Sequence, residues 1–82
     1  MPRTLKTKKI TDAIETLPAG SDEIVFRNTG SNDITILPNG QTTPITLAAG
    51  ERFNTERRPD GFSWDSFEIN ATGSECLILS IP

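Results

Sequence analysis

The chain contains no histidine, no tyrosine and a single cysteine, Cys76. Acid–base and nucleophilic catalysis at neutral pH most often relies on histidine, an activated cysteine or paired carboxylates. Cys76 opens an apolar run, where a thiol usually packs as a small hydrophobe and stays unreactive. One cysteine excludes an intrachain disulfide, and the lack of histidine argues against a zinc site. The sequence therefore predicts no catalytic residue, no metal site and no cofactor.

The chain also lacks any apolar run approaching the roughly 20 residues that a membrane-spanning helix needs. No apolar leader follows Met1, so we expect synthesis in a cytosol and no membrane partner. With 82 residues, one domain with a thin core is expected. Small domains without disulfides or metals often gain stability from partner subunits, so a homo-oligomer is predicted.

The net charge of −3 conceals two regions of opposite sign. The first nine residues carry four basic side chains and no acid, whereas residues 10 to 82 carry four basic and 11 acidic residues, 4 − 11 = −7. A basic segment on an acidic body is expected to meet an acidic partner, either nucleic acid or a neighbouring protein copy. Nucleic acid is the less favoured partner, because the segment has no aromatic residue for base stacking and the body repels phosphates. A solvated tail is the plain alternative.

A second basic site, Arg57 and Arg58, is predicted at the tip of a hairpin. Charged side chains at such tips often only keep the protein soluble. Together the two basic points give the predicted partner-binding residues: Arg3, Lys6, Lys8, Lys9, Arg57 and Arg58.

From residue 17 onward, apolar residues alternate with polar ones in short runs bounded by glycine, proline and asparagine. Ile24 with Phe26 and Ile34 with Ile36 are examples. Period-2 alternation at a spacing of about 8–12 residues is typical of antiparallel sandwiches. We predict an all-β antiparallel sandwich, Ig-like or jelly-roll-like, over residues 17–82. Residues 1–16 are predicted as a basic N-terminal arm, either extended or a short helix.

Three stretches of this region have unusual patterns. In residues 62–69 the pair Phe62 and Trp64 is out of phase with Phe67 and Ile69, so a bulge is predicted between them. Residues 76–81 are almost continuously apolar, which predicts a central strand or one that lies beneath a neighbouring subunit. Residues 28–33 form a polar loop whose side chains are expected to bind their own backbone, in preference to calcium.

Three phrases of the sequence are SDEIVFRNTGSNDITI, ITLAAGERF and FEINATGSECLILSI, within residues 17–82. They resemble small β-sandwich proteins of tailed-bacteriophage virions, in which a strand–loop–strand segment of this type precedes I-x-L-x-x-G-E and a closing strand. The resemblance implies a non-enzymatic structural subunit of the decoration, cement, neck or tail type. Such a subunit is made in the bacterial cytoplasm, ends in the virion, and binds capsid or neck and tail proteins through its arm and sheet surfaces.

Two other functions remain open at this point. One is a host-surface or glycan-binding fibre module, which would need an exposed aromatic platform such as Trp64. The other is a small cytosolic inhibitor or adaptor protein.

Overall fold

The computed structural model describes residues 4–59 and 62–82. These residues form eight β-strands and no helix. The strands are β1 (Lys6–Thr11), β2 (Ile14–Leu17), β3 (Glu23–Asn28), β4 (Ile34–Pro38), β5 (Ile45–Leu47), β6 (Arg52–Asn54), β7 (Phe67–Asn70) and β8 (Glu75–Ile81).

The strands build two four-stranded antiparallel sheets packed face to face. Sheet A has the order β1-β8-β3-β6, and sheet B has the order β2-β7-β4-β5. Along the central strands β3, β4 and β8, buried residues alternate with residues that are at least partly exposed. In β3, the buried residues are Ile24, Phe26 and Asn28. The prediction of an all-β antiparallel sandwich is confirmed.

The core lies between the two sheets and is built mainly from β-branched and aromatic residues. Phe26 of sheet A meets Phe67 of sheet B edge to face, with ring centroids 5.3 Å apart. The buried apolar residues are Ile10, Leu17, Ile24, Phe26, Ile34, Ile36, Leu47, Phe67, Ile69, Ala71, Cys76 and Ile78. Because both sheets contribute to one core, a substitution at its centre affects the whole domain.

The segment predicted as an arm, residues 1–16, supplies a strand to each sheet. β1 pairs with β8 in sheet A, and β2 pairs with β7 in sheet B. The chain crosses between the sheets at Asp12, which has a φ of 46° and accepts a hydrogen bond of 2.8 Å from the backbone of Gly73. Ile10 and Leu17 enter the core. Residues 6–11 and 14–17 are therefore extended, and they belong to the sandwich itself.

The predicted bulge in residues 62–69 is wrong. β7 begins only at Phe67, and Trp64 forms an isolated antiparallel bridge with Ser21 instead of pairing beside β7. Phe67 pairs with Leu17 and Trp64 with Ser21, so the pairing shifts by one residue between the two halves, and residues 65 and 66 lie outside any strand.

The polar loop of residues 28–33 is a corner tied together by the buried amide of Asn28. Its Nδ2 donates to the carbonyls of Asn32 and Leu47 at 2.7 and 3.0 Å, and its Oδ1 accepts from the Gly30 backbone at 3.0 Å. Oδ1 also accepts from the Ser74 hydroxyl at 3.1 Å. The expectation that polar side chains satisfy the corner backbone is confirmed for Asn28.

Gly30 allows this corner to lie directly against the β7–β8 turn. A Cβ at this position would meet the Ser74 hydroxyl and would lie 2.5 Å from the backbone nitrogen of Glu75. Such a separation is too short for non-bonded atoms, so the close approach requires a residue without a side chain.

Candidate functional site

The predicted partner-binding residues do not converge on one site. Arg3 lies outside the described residues. Lys6, Lys8 and Lys9 lie on β1, at one edge of sheet A. Arg57 and Arg58 follow β6, at the opposite edge. Strands β8 and β3 separate the two groups.

The lysines of β1 have local roles in the fold. Lys8 reaches Glu15 of sheet B at 3.0 Å, which joins the two sheets along their open side. Lys9 lies 3.5 Å from Glu75. The Thr29 hydroxyl, at 2.7 Å, and then the charge of Lys9 hold the pKa of Glu75 below its ordinary value. Lysines on an edge strand also disfavour unwanted pairing with other chains.

The two arginines after β6 also contact neighbouring residues of the chain. Arg57 lies 3.5 Å from the carboxylate of Asp22. The guanidinium of Arg58 lies over the ring of Trp64, 5.0 Å from its centroid. The Trp64 indole N–H donates to the carbonyl of Glu56 at 2.8 Å, and the ring packs against the core. Trp64 is thus not the freely exposed platform that the glycan-binding alternative would need.

A different surface, the outer face of sheet A, combines apolar and basic side chains. Successive strand residues point to opposite faces of a sheet. The residues that alternate with the buried ones along β3 and β8 therefore point outward, away from the core. These outward side chains are partly exposed and lie side by side on adjoining strands. The apolar ones among them form the apolar strip: Val25, Leu77, Leu79 and Ile81. Glu23 and Glu75 point outward on the same face. Leu5, which is 54% exposed, precedes β1 beside this strip.

A row of three cations crosses the same face. Lys9 is paired with Leu77, Leu77 with Arg27, and Arg27 with Arg52. Like charges directly opposite each other on neighbouring strands repel. Within the described ranges, no salt bridge joins Arg27 or Arg52 to an acid of this chain. Because Lys9 is paired with Glu75, Arg27 and Arg52 are the members of the cation row that offer positive charge beside the apolar strip.

The sequence patterns identified only part of this surface. Lys9 was predicted as a partner-binding residue, but Arg27, Arg52 and the apolar strip were not. The near-continuous apolar run of β8 was the available signal. β8 is indeed a central strand, yet its outward residues remain partly exposed because nothing in the described part of the chain covers them.

Cys76 is fully buried, and burial raises its pKa to about 11. We expect a thiol reagent at pH 8 to label the folded protein very slowly and the unfolded protein completely, because only the thiolate reacts. Rapid labelling of the folded protein would contradict this arrangement.

The buried thiol also makes stability depend on pH. The Cys76 thiol ionises at a lower pH in the unfolded chain than in the folded protein. The free energy of unfolding should therefore fall as the pH rises from about 9 toward about 11.

In residues 4–59 and 62–82, no group of three or more histidine, cysteine, aspartate or glutamate residues is placed to hold a metal ion. The same residues contain no helix long and apolar enough to span a membrane. No protein-family model, curated protein or solved structure matches the chain at a significant level.

Proposed function

We propose that this chain is a non-enzymatic structural subunit of a tailed-bacteriophage virion, and that it binds neighbouring virion proteins through the outer face of sheet A. The resemblance of residues 17–82 to small virion sandwich proteins supports the virion assignment. The apolar strip beside the cation row is the observation that supports binding through this face.

The apolar strip favours a protein as the partner. Leu77, Leu79 and Val25 are neighbours on the two central strands of sheet A, so their side chains form one continuous surface. Burying apolar surface stabilises an interface by about 25 cal/mol per Å² before the costs of association are subtracted. A nucleic acid backbone has little apolar surface to bury against the strip, so its binding would gain little stabilisation from it. An apolar patch on another protein would be buried against the strip and would gain this stabilisation.

The cation row defines the chemistry of that partner more closely. Arg27 and Arg52 lie directly opposite each other and repel, so a carboxylate placed between them would relieve the repulsion. Arginine binds carboxylates through two parallel hydrogen bonds. The partner surface should therefore present an apolar patch bordered by aspartate or glutamate residues.

Particle composition tests the proposed function. We expect the chain to copurify with phage particles produced by the strain that encodes it, in a constant ratio to the major capsid protein across a density gradient. Mass spectrometry of the gradient fractions measures this ratio. An unrelated cytosolic protein of similar abundance serves as the control for trapping. Recovery of the chain only in the particle-free lysate would refute the virion role.

A further inference from the structure

The outer face of sheet A carries the same surface chemistry that was inferred for its partner, an apolar patch bordered by a carboxylate. The apolar strip is the patch, and Glu23 places a carboxylate at one end of it, on β3. Arg27 lies on the same strand at the other end, about 13 Å from Glu23 at the rise of an extended chain. One face therefore presents an anion and a cation separated by apolar side chains.

The register of sheet A arranges these groups in three rows, each a pair of opposite outward residues on β3 and β8. The pairs are Glu23 with Ile81, Val25 with Leu79, and Arg27 with Leu77. The row of Val25 and Leu79 is the middle one, so Glu23 and Arg27 lie at equal distances on either side of it. Arg52 of β6 lies opposite Arg27 and adds a second cation to the third row.

The charges at the two ends of β3 are available to a partner. Among the residues that the structure describes, no cation forms a salt bridge with Glu23, and no acid forms one with Arg27. Glu75, the other outward carboxylate of β8 and β3, differs in this respect. It accepts a hydrogen bond from the Thr29 hydroxyl and lies 3.5 Å from Lys9. Glu23 is therefore the carboxylate that this face offers to another molecule.

We propose that a second copy of this chain covers the outer face of sheet A in solution, with β3 of one copy antiparallel to β3 of the other. A two-fold axis that crosses the strands at the middle row places Glu23 of each copy against Arg27 of its partner. The same operation packs the two apolar strips face to face, as the sheets of a sandwich pack. The face is thus complementary to itself in both charge and polarity.

The dimer regulates the proposed docking surface, and this inference rests on the proposed function for that consequence. A particle protein and a second copy compete for one apolar strip, so the dimer must dissociate before the chain docks. At concentrations below the dissociation constant the copies separate, and the face is then free. Covering the strip in the concentrated protein also removes an exposed apolar patch from water.

Charge-reversed variants test the dimer by sedimentation over a concentration series from about 1 µM to about 1 mM, which spans weak association. The mass of the unmodified chain should rise from that of one chain to that of two. Glu23→Arg and Arg27→Glu should each weaken association by about a hundredfold or more, because both symmetry-related contacts then join like charges. An equimolar mixture of the two variants should dimerise again, because each contact of the mixed pair joins opposite charges.

Glu68→Arg is the matched control, because it makes the same change of charge at an exposed glutamate of β7, on sheet B. This variant should associate like the unmodified chain. A chain that stays monomeric throughout the series would overturn the proposal. An equal loss of association in Glu68→Arg, or a mixture of the two charge-reversed variants that stays monomeric, would overturn it as well.

The dimer and the virion role fail separately in these experiments. A chain that stays monomeric in solution but copurifies with particles refutes the dimer and leaves the proposed function intact. A chain that dimerises with the expected charge dependence but is recovered only in the particle-free lysate supports the dimer and refutes the virion role.

Discussion

Replacing Asn28 with alanine is expected to lower the free energy of unfolding by about 3 kcal/mol or more. The Asn28 side chain is fully buried and makes four hydrogen bonds at the corner between β3 and β4. Truncation leaves the Leu47 carbonyl and the Gly30 N–H without these partners and opens a small cavity. A buried polar group that loses its partner costs about 1–3 kcal/mol, so the two groups and the cavity together exceed the effect of an ordinary substitution.

Thermal and denaturant unfolding measure this loss. For a domain of this size, about 3 kcal/mol corresponds to a fall in Tm of more than about 10 °C. Asn39→Ala is the matched control, because the Asn39 amide makes its hydrogen bond with Asp65 at an exposed turn. It should cost less than about 1 kcal/mol. Similar small losses for both variants would show that the Asn28 network does not hold the corner.

The double substitution Leu77→Thr and Leu79→Thr is expected to weaken binding to phage particles by at least about thirtyfold, because two apolar side chains leave the proposed interface. Threonine retains a high strand propensity, and both side chains point away from the core. The variant should therefore remain folded. Binding is measured by cosedimentation of the purified variant with particles that lack the chain.

Ile14→Thr provides the control on the opposite sheet. Ile14 is an exposed apolar residue of β2, and it points outward beside Asn70. This substitution should leave particle binding unchanged. If the double variant binds normally, or if Ile14→Thr causes an equal loss, the outer face of sheet A is not the docking surface.

The sandwich was predictable because its central strands carry local signals. The alternation of Ile24 with Phe26, and of Ile34 with Ile36, requires only that one face be buried. The placement of residues 6–11 was not settled by such a signal. β1 pairs with β8 across most of the chain length, as in Lys6 with Ser80, and nothing near Lys6 specifies that partner.

The candidate surface was harder to predict for the same reason. The charges of Arg27 and Arg52 gain meaning only once the register places them opposite each other, and register depends on the whole sheet. The sequence pattern also gives the wrong environment for Phe62. Its position in an alternating run suggested a strand residue, but the chain pairs through Trp64 with Ser21 and leaves Phe62 exposed.

Hydroxyl-radical footprinting of the chain, free and bound to phage particles, tests most directly whether the outer face of sheet A is the docking surface. Radical attack reports the solvent access of individual side chains. On binding, Leu77, Leu79 and Ile81 should become protected, while Ile14 on the opposite sheet should react at the same rate in both states. Protection at Ile14 with unchanged reactivity at the three β8 residues would contradict the account.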